Sequence, residues 1–174
     1  MSGTTPPEEA AHGGRAEVLE ERLKERIYAS LTLLAVLVGL AQGGHPTHVG
    51  TLVSVVVTAL GLWLATLVAD LQAHPVARRR WPTPWEIKRV LFTSSPLLTC
   101  AVGPMLMIGL SAAGLLGLTT ALWVSVGSEV AALALWGFAG GRRVGAGPWR
   151  ATVTAVLNTV IGLAVVFVKL LAGH

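Results

Sequence analysis

"VGTLVSVVVTALGLWLATLVA", residues 49–69, decides the fold. The stretch contains no charged side chain, and Asp70 follows it at once. A helix needs about 20 predominantly apolar residues to cross the hydrocarbon core of a bilayer, and this run meets that length. It is therefore expected to be a membrane span.

The rest of the chain agrees. Of its 174 residues, 53% are hydrophobic and only 13% charged, with a mean hydropathy of +0.67. Soluble domains carry roughly a quarter charged residues. Halving that charge and adding long apolar runs points to an all-α polytopic membrane protein. Cys100 is the single cysteine, so neither an intramolecular disulfide nor a cysteine metal cluster is available.

Outward from residues 49–69, "GGHPTH" (43–48) makes a turn through two glycines and a proline. Before it stands "IYASLTLLAVLVGLA" (27–41), continuous with the polar helical pattern "RAEVLEERLKER" (15–26). Glu20 and Lys24 have the favourable four-residue spacing there. A signal peptide is disfavoured, because the segment before the apolar run is long and acidic rather than short and basic. Residues 1–14 are rich in Pro, Gly, Ser, Thr and Glu and are expected to be a disordered tail.

After Asp70 comes the longest polar interruption, residues 70–95, with Arg78, Arg79, Arg80, Lys88 and Arg89 beside Trp81 and Trp85. Thr83 and Glu86 have capping-box spacing, and Pro84 suits a first helical position. A short interfacial helix is expected at "PWEIKRVLF". Its tryptophans fit the aromatic belt, and the five cations fit anionic lipid headgroups. Residues 96–140 are too long for one span and divide into 96–113 and 118–139; a last span covers 151–171. Residues 15–174 are thus expected to form one bundle of five transmembrane helices.

Orientation follows from the positive-inside rule. Arg15, Arg22, Lys24 and Arg26, the five cations above, and Arg142, Arg143 and Arg150 all fall on one side of a five-span arrangement. Lys169 alone lies at the far side, where it can snorkel. The expectation is a multi-pass protein of the cell membrane with a cytoplasmic N-terminus and an external C-terminus. This distribution also removes nucleic acid as a partner for the net charge of +4.

Glu129, in "VSVGSEVAALALW" (124–136), is the residue whose position demands a reason. It lies about ten residues from each end of its span, so roughly 15 Å from either surface. An acidic group there costs about 2.5–3.5 kcal/mol on insertion scales and should face the bundle interior with a partner. It reads either as an ion or proton relay or as a neutral hydrogen-bond donor to the next span, for example to Asn158. Asp70 would stand at the cytoplasmic mouth of such a relay, or else pair with Arg78–Arg80. Ser125, Ser128 and Thr66 offer hydroxyl oxygens of the kind hard cations take.

His45 and His48 have a spacing that can hold a metal, but no carboxylate or cysteine stands near them in sequence, and an outward turn is the expectation. Gly109, Ala113 and Gly117, and Gly127 and Ala131, recur at four-residue intervals that permit close helix approach, within the bundle or between subunits. A homo-oligomer such as a dimer, or a partner membrane protein, would use those faces. No P-loop, nucleophile elbow or HExxH is present, so neither enzyme activity nor a cofactor is expected.

"SSPLLTCAVGPMLMIGL" (94–110) with "ALWGFAGGRRVGAGPWRATVTAVLNTVIGL" (134–163) resembles the last three spans of the vacuolar iron transporter family. There the third span is Pro-led with a Gly-x-Pro-like break, and the fourth ends in a Gly-rich basic loop. The resemblance covers about half of the chain. It implies five spans, a cytoplasmic N-terminus, and a dimer that moves Fe²⁺ or Mn²⁺ out of the cytoplasm against protons. The chain departs from that family at its metal-site motifs. Tyr28-Ala29 stands where the family has Asp-Gly, and Ala69-Asp70-Leu71 where it has Gly-Glu-Tyr. The segment between spans two and three is short and basic instead of Glu-rich.

The topology is testable with single cysteines placed in a Cys100→Ala background. Cysteine at position 45 should react with a membrane-impermeant maleimide on intact cells, and cysteine at position 79 only after permeabilisation. The reverse pattern would refute the orientation.

Overall fold

The computed structural model describes residues 7–143 and 147–173, and these are all-helical apart from short turns. The helices are α1 (Pro7–Gln42), α2 (His48–Arg78), α3 (Pro84–Thr99), α4 (Val102–Ala112), α5 (Leu118–Arg143) and α6 (Pro148–Ala172). Four stretches are long and apolar enough to cross a membrane: His48–Val76, Pro84–Ala112, Leu118–Arg143 and Pro148–Ala172. The apolar part of α1, residues 27–42, is shorter.

The helix ends follow local chemistry. Thr47 caps α2 by accepting from the Gly50 amide at 3.2 Å. Arg79 closes that helix in the left-handed region (φ 53°) with its amide on the Pro75 carbonyl. The Thr83–Glu86 capping box forms, with Pro84 in the first turn. The expected tail lies partly outside the described residues, but residues 7–14 are helical.

The interfacial helix is not a separate element. "PWEIKRVLF" runs without a break through Pro96 to Thr99. Pro96 has no amide proton for the Phe92 carbonyl, and the Ser95 hydroxyl donates to that carbonyl instead at 2.8 Å. The chain breaks later, at Cys100 and Ala101, just before Gly103 and Pro104. There the Ala101 amide falls back to the Leu98 carbonyl at 3.3 Å.

α1 sits in the middle, packed on α2, α3, α5 and α6, while α4 packs on α2 and α5. Ala29, Leu33, Leu34, Leu37 and Val38 of α1 meet Val55, Leu97, Ile108, Leu122 and Leu133 in the core. α2 and α6 instead expose large apolar side chains along their lengths, among them Val57, Leu64, Val156, Val160 and Phe167. An apolar surface of that extent is compatible with an integral membrane protein, its outer face turned to lipid.

α5 packs tightly on α6, and glycine permits it. A Cβ at Gly141 would lie 2.6 Å from Ala151 Cα, and one at Gly137 would lie 2.8 Å from the Thr154 carbonyl oxygen. Gly162 receives the Leu133 side chain from the opposite direction. Gly109 and Gly127, by contrast, have nothing within 4 Å of an added Cβ. The small-residue faces expected from sequence are therefore not what packs this chain together.

Gly141→Leu should destabilise the protein in detergent micelles by about 1–3 kcal/mol or more, since backbone would have to move. Gly109→Leu should stay within about 0.5 kcal/mol of the parent. Denaturant unfolding followed by far-UV circular dichroism measures both, and equal losses would contradict this packing.

Candidate functional site

Glu129 is buried on the inner face of α5, one turn from Ser125 and Leu133. Its partner comes from α1. Ser30, 1% exposed, faces the Glu129 carboxyl across the α1–α5 contact. Ser30 Oγ is also 3.8 Å from Cys100 Sγ, at the break between α3 and α4. Cys100 Sγ in turn reaches the Arg26 carbonyl at 4.0 Å. Arg26 lies one helical turn before Ser30, on the same face of α1. Its guanidinium acts on Glu129 electrostatically and stacks over the Trp136 ring, 4.1 Å from the centroid. One hydroxyl, one thiol, one carboxyl and one guanidinium thus converge from α1, α5 and the α3–α4 break.

Asp70 belongs to a different place. It faces Glu25 and Lys24 across the α1–α2 contact. It lines a cavity of about 400 Å³ together with Glu21, His74, Arg78, Glu86 and Thr93. Thr66, expected as a cation ligand, faces Glu25 across the same α1–α2 contact. Burial pushes the Glu25 carboxyl above its ordinary value of 4.5; the Asp70 carboxylate adds to that, and Lys24 and Thr66 oppose it.

Asn158 does not reach Glu129. Its side-chain amide donates to the Leu133 carbonyl at 3.4 Å, across the α5–α6 contact. The Ser125 hydroxyl donates to the Ala121 carbonyl and that of Ser128 to the Ser125 carbonyl, both at 2.8 Å. Both protons are used within α5. Among the described residues no hydrogen bond joins Glu129, Asp70 and Asn158 to one another.

The basic segment is partly neutralised from within. Arg80 grips Glu86 through both terminal nitrogens at 2.6 and 2.9 Å, with Arg78 at 3.9 Å and His74 at 3.4 Å from the same carboxylate. Lys88 is exposed and Arg89 lines the Asp70 cavity. At the opposite end, His48 Nε2 is 3.0 Å from Ser111 Oγ, and His45 is exposed. No cluster of three or more His, Cys, Asp or Glu suited to a metal occurs among the described residues.

Arg26, Ser30 and Cys100 escaped the sequence reading as site residues. The available signal was the four-residue step from Arg26 to Ser30 at the edge of an apolar run. In comparisons with known proteins, the chain matches no family model, no curated protein and no solved structure.

A carboxyl whose pKa is raised on folding favours the folded state most at low pH, and that contribution is lost as pH climbs through the raised value. Glu25→Gln should therefore raise the melting temperature at pH 7 and reduce the decline in stability above pH 4.5. A melting temperature unchanged or lowered at pH 7 would count against a strained Glu25.

Proposed function

We propose that this chain is a five-span protein of the cell membrane, with its N-terminus cytoplasmic, that serves as a small proton-linked transporter or channel. Glu129 is the group that takes up and releases the proton. The observation that carries this reading is the placement of a carboxyl deep in an apolar core, facing the Ser30 hydroxyl, with the Arg26 guanidinium on the side toward the basic end. A buried acid with a hydroxyl for relay and a cation to balance its charged form can exist in both protonation states. Metal coordination is favoured less. Fe²⁺ or Mn²⁺ wants several oxygen or imidazole ligands, while the neighbours of Glu129 are a hydroxyl, a thiol and a guanidinium that repels cations.

A second reading is a non-transporting accessory or assembly subunit, docked to a second copy or a partner helix through its exposed faces. It is favoured by the different partners of these residues, since Asp70 lines the cavity at the α2–α3 junction while Asn158 bonds the Leu133 carbonyl and not Glu129. In that case the Ser30–Glu129 contact simply fixes α1 against α5.

Proteoliposomes carrying a pH-sensitive dye distinguish the two. Glu129→Gln keeps the shape and a hydrogen-bonding side chain, so it should elute and melt like the parent while proton flux falls at least about tenfold. Parent-level flux in the folded variant would sink the relay and leave the accessory reading.

A further inference from the structure

The basic end of the bundle contains a second cavity, of about 580 Å³, between α1, α3 and α5. That is within the roughly 300–1,000 Å³ of small-molecule sites. Its walls are of two kinds. Leu23, Pro96 and Trp136 form an apolar side, and Arg22, Arg26 and Arg143 bring three guanidinium groups. Glu20 is also in the lining, so the balance of charge is positive.

These three arginines differ from those of the α2–α3 segment. Glu86 gathers His74, Arg78 and Arg80 there, whereas Arg22, Arg26 and Arg143 have no carboxylate among the described residues within 4.0 Å. Two of them instead lie over aromatic rings: Arg22 is 4.2 Å from the Phe92 centroid and Arg26 4.1 Å from that of Trp136. Stacking fixes the guanidinium plane and leaves its edge donors free for a planar or tetrahedral oxyanion. The Asp70 cavity lacks this character, since Glu21, Asp70 and Glu86 stand there among its cations.

We propose that this cavity binds one anionic membrane lipid. The phosphate sits on Arg22, Arg26 and Arg143, and the first part of an acyl chain lies along Leu23, Pro96 and Trp136. A free phosphate would use the guanidinium edge and leave the apolar wall in water; a phospholipid covers both. The site is independent of the proton reading, and because Arg26 is shared with the Glu129 cluster, the test uses Arg22 and Arg143.

Native mass spectrometry of the detergent-solubilised protein, titrated with dioleoylphosphatidylglycerol, dioleoylphosphatidylcholine or inorganic phosphate, reads the binding directly. One phosphatidylglycerol should be retained per chain, while phosphatidylcholine and phosphate are lost at the same concentration. Removing each arginine should weaken the anionic lipid about fivefold, so R22Q/R143Q loses about twenty-five-fold and R22K/R143K recovers most of it. R150Q, a change of an exposed arginine outside the cavity, should leave affinity unchanged. Equal retention of the two lipids, phosphate binding as well as the lipid, or a loss in R150Q as large as in R22Q/R143Q would overturn the proposal. If the double variant does not fold, R143Q alone decides: a fivefold loss supports the site and unaltered binding refutes it.

Discussion

The burial of α1 in the middle of the bundle is the constraint on which the rest of the structure depends. Lipid tails are as apolar as leucine, so helices in a membrane gain little from hiding apolar surface and rely on close packing and on polar contacts between them. α1 supplies both. Leu34, Leu37 and Val38 are fully buried against neighbours, and one turn closer to the basic end Ser30 meets the carboxyl of Glu129. A helix so enclosed brings its polar residues into contact with every neighbour it touches. The chemistry of the interior is therefore set by which way each α1 side chain turns.

Glu25 and Arg26 illustrate this. They are adjacent in sequence, and a helix separates neighbours by about 100° around its axis. Glu25 turns to α2, where Asp70 and Thr66 meet it. Arg26 turns to α5, where Trp136 supports it and Glu129 feels its charge. The step between two residues thus divides the basic end into an acid-rich side and an arginine-rich side. Arg22, one turn earlier on the Arg26 face, extends the arginine-rich side to Phe92 of α3.

The helical stretches were legible because uncharged runs, Gly-Pro turns and the Thr83–Glu86 cap are local signals. Interior partnerships were not. Asn158 matched Glu129 in depth, but depth along two helices says nothing about rotation, and Asn158 turned to the Leu133 carbonyl. Four-residue spacing of small residues was equally ambiguous. Gly127 and Ala131 have it and face outward, whereas Gly137 and Gly141 have it and meet α6. Pro96 looked like a boundary because proline ends most helices, yet the Ser95 hydroxyl occupies the carbonyl that proline leaves open, and α3 continues through it.

The same limit applies to the basic residues. The charge pattern locates a cationic end without saying which cations are available to a partner. Arg80 lies in the densest basic run of the sequence, but both of its terminal nitrogens are committed to Glu86. Arg22 and Arg143 are far apart in sequence and would not be grouped by inspection, yet they line one cavity. Availability depends on whether a carboxylate lies within reach. Glu86 gathers His74, Arg78 and Arg80 around itself because it starts α3 beside the end of α2. No described carboxylate within 4.0 Å plays that part for Arg22 or Arg143, so folding leaves their charge available beside the apolar wall of Leu23, Pro96 and Trp136.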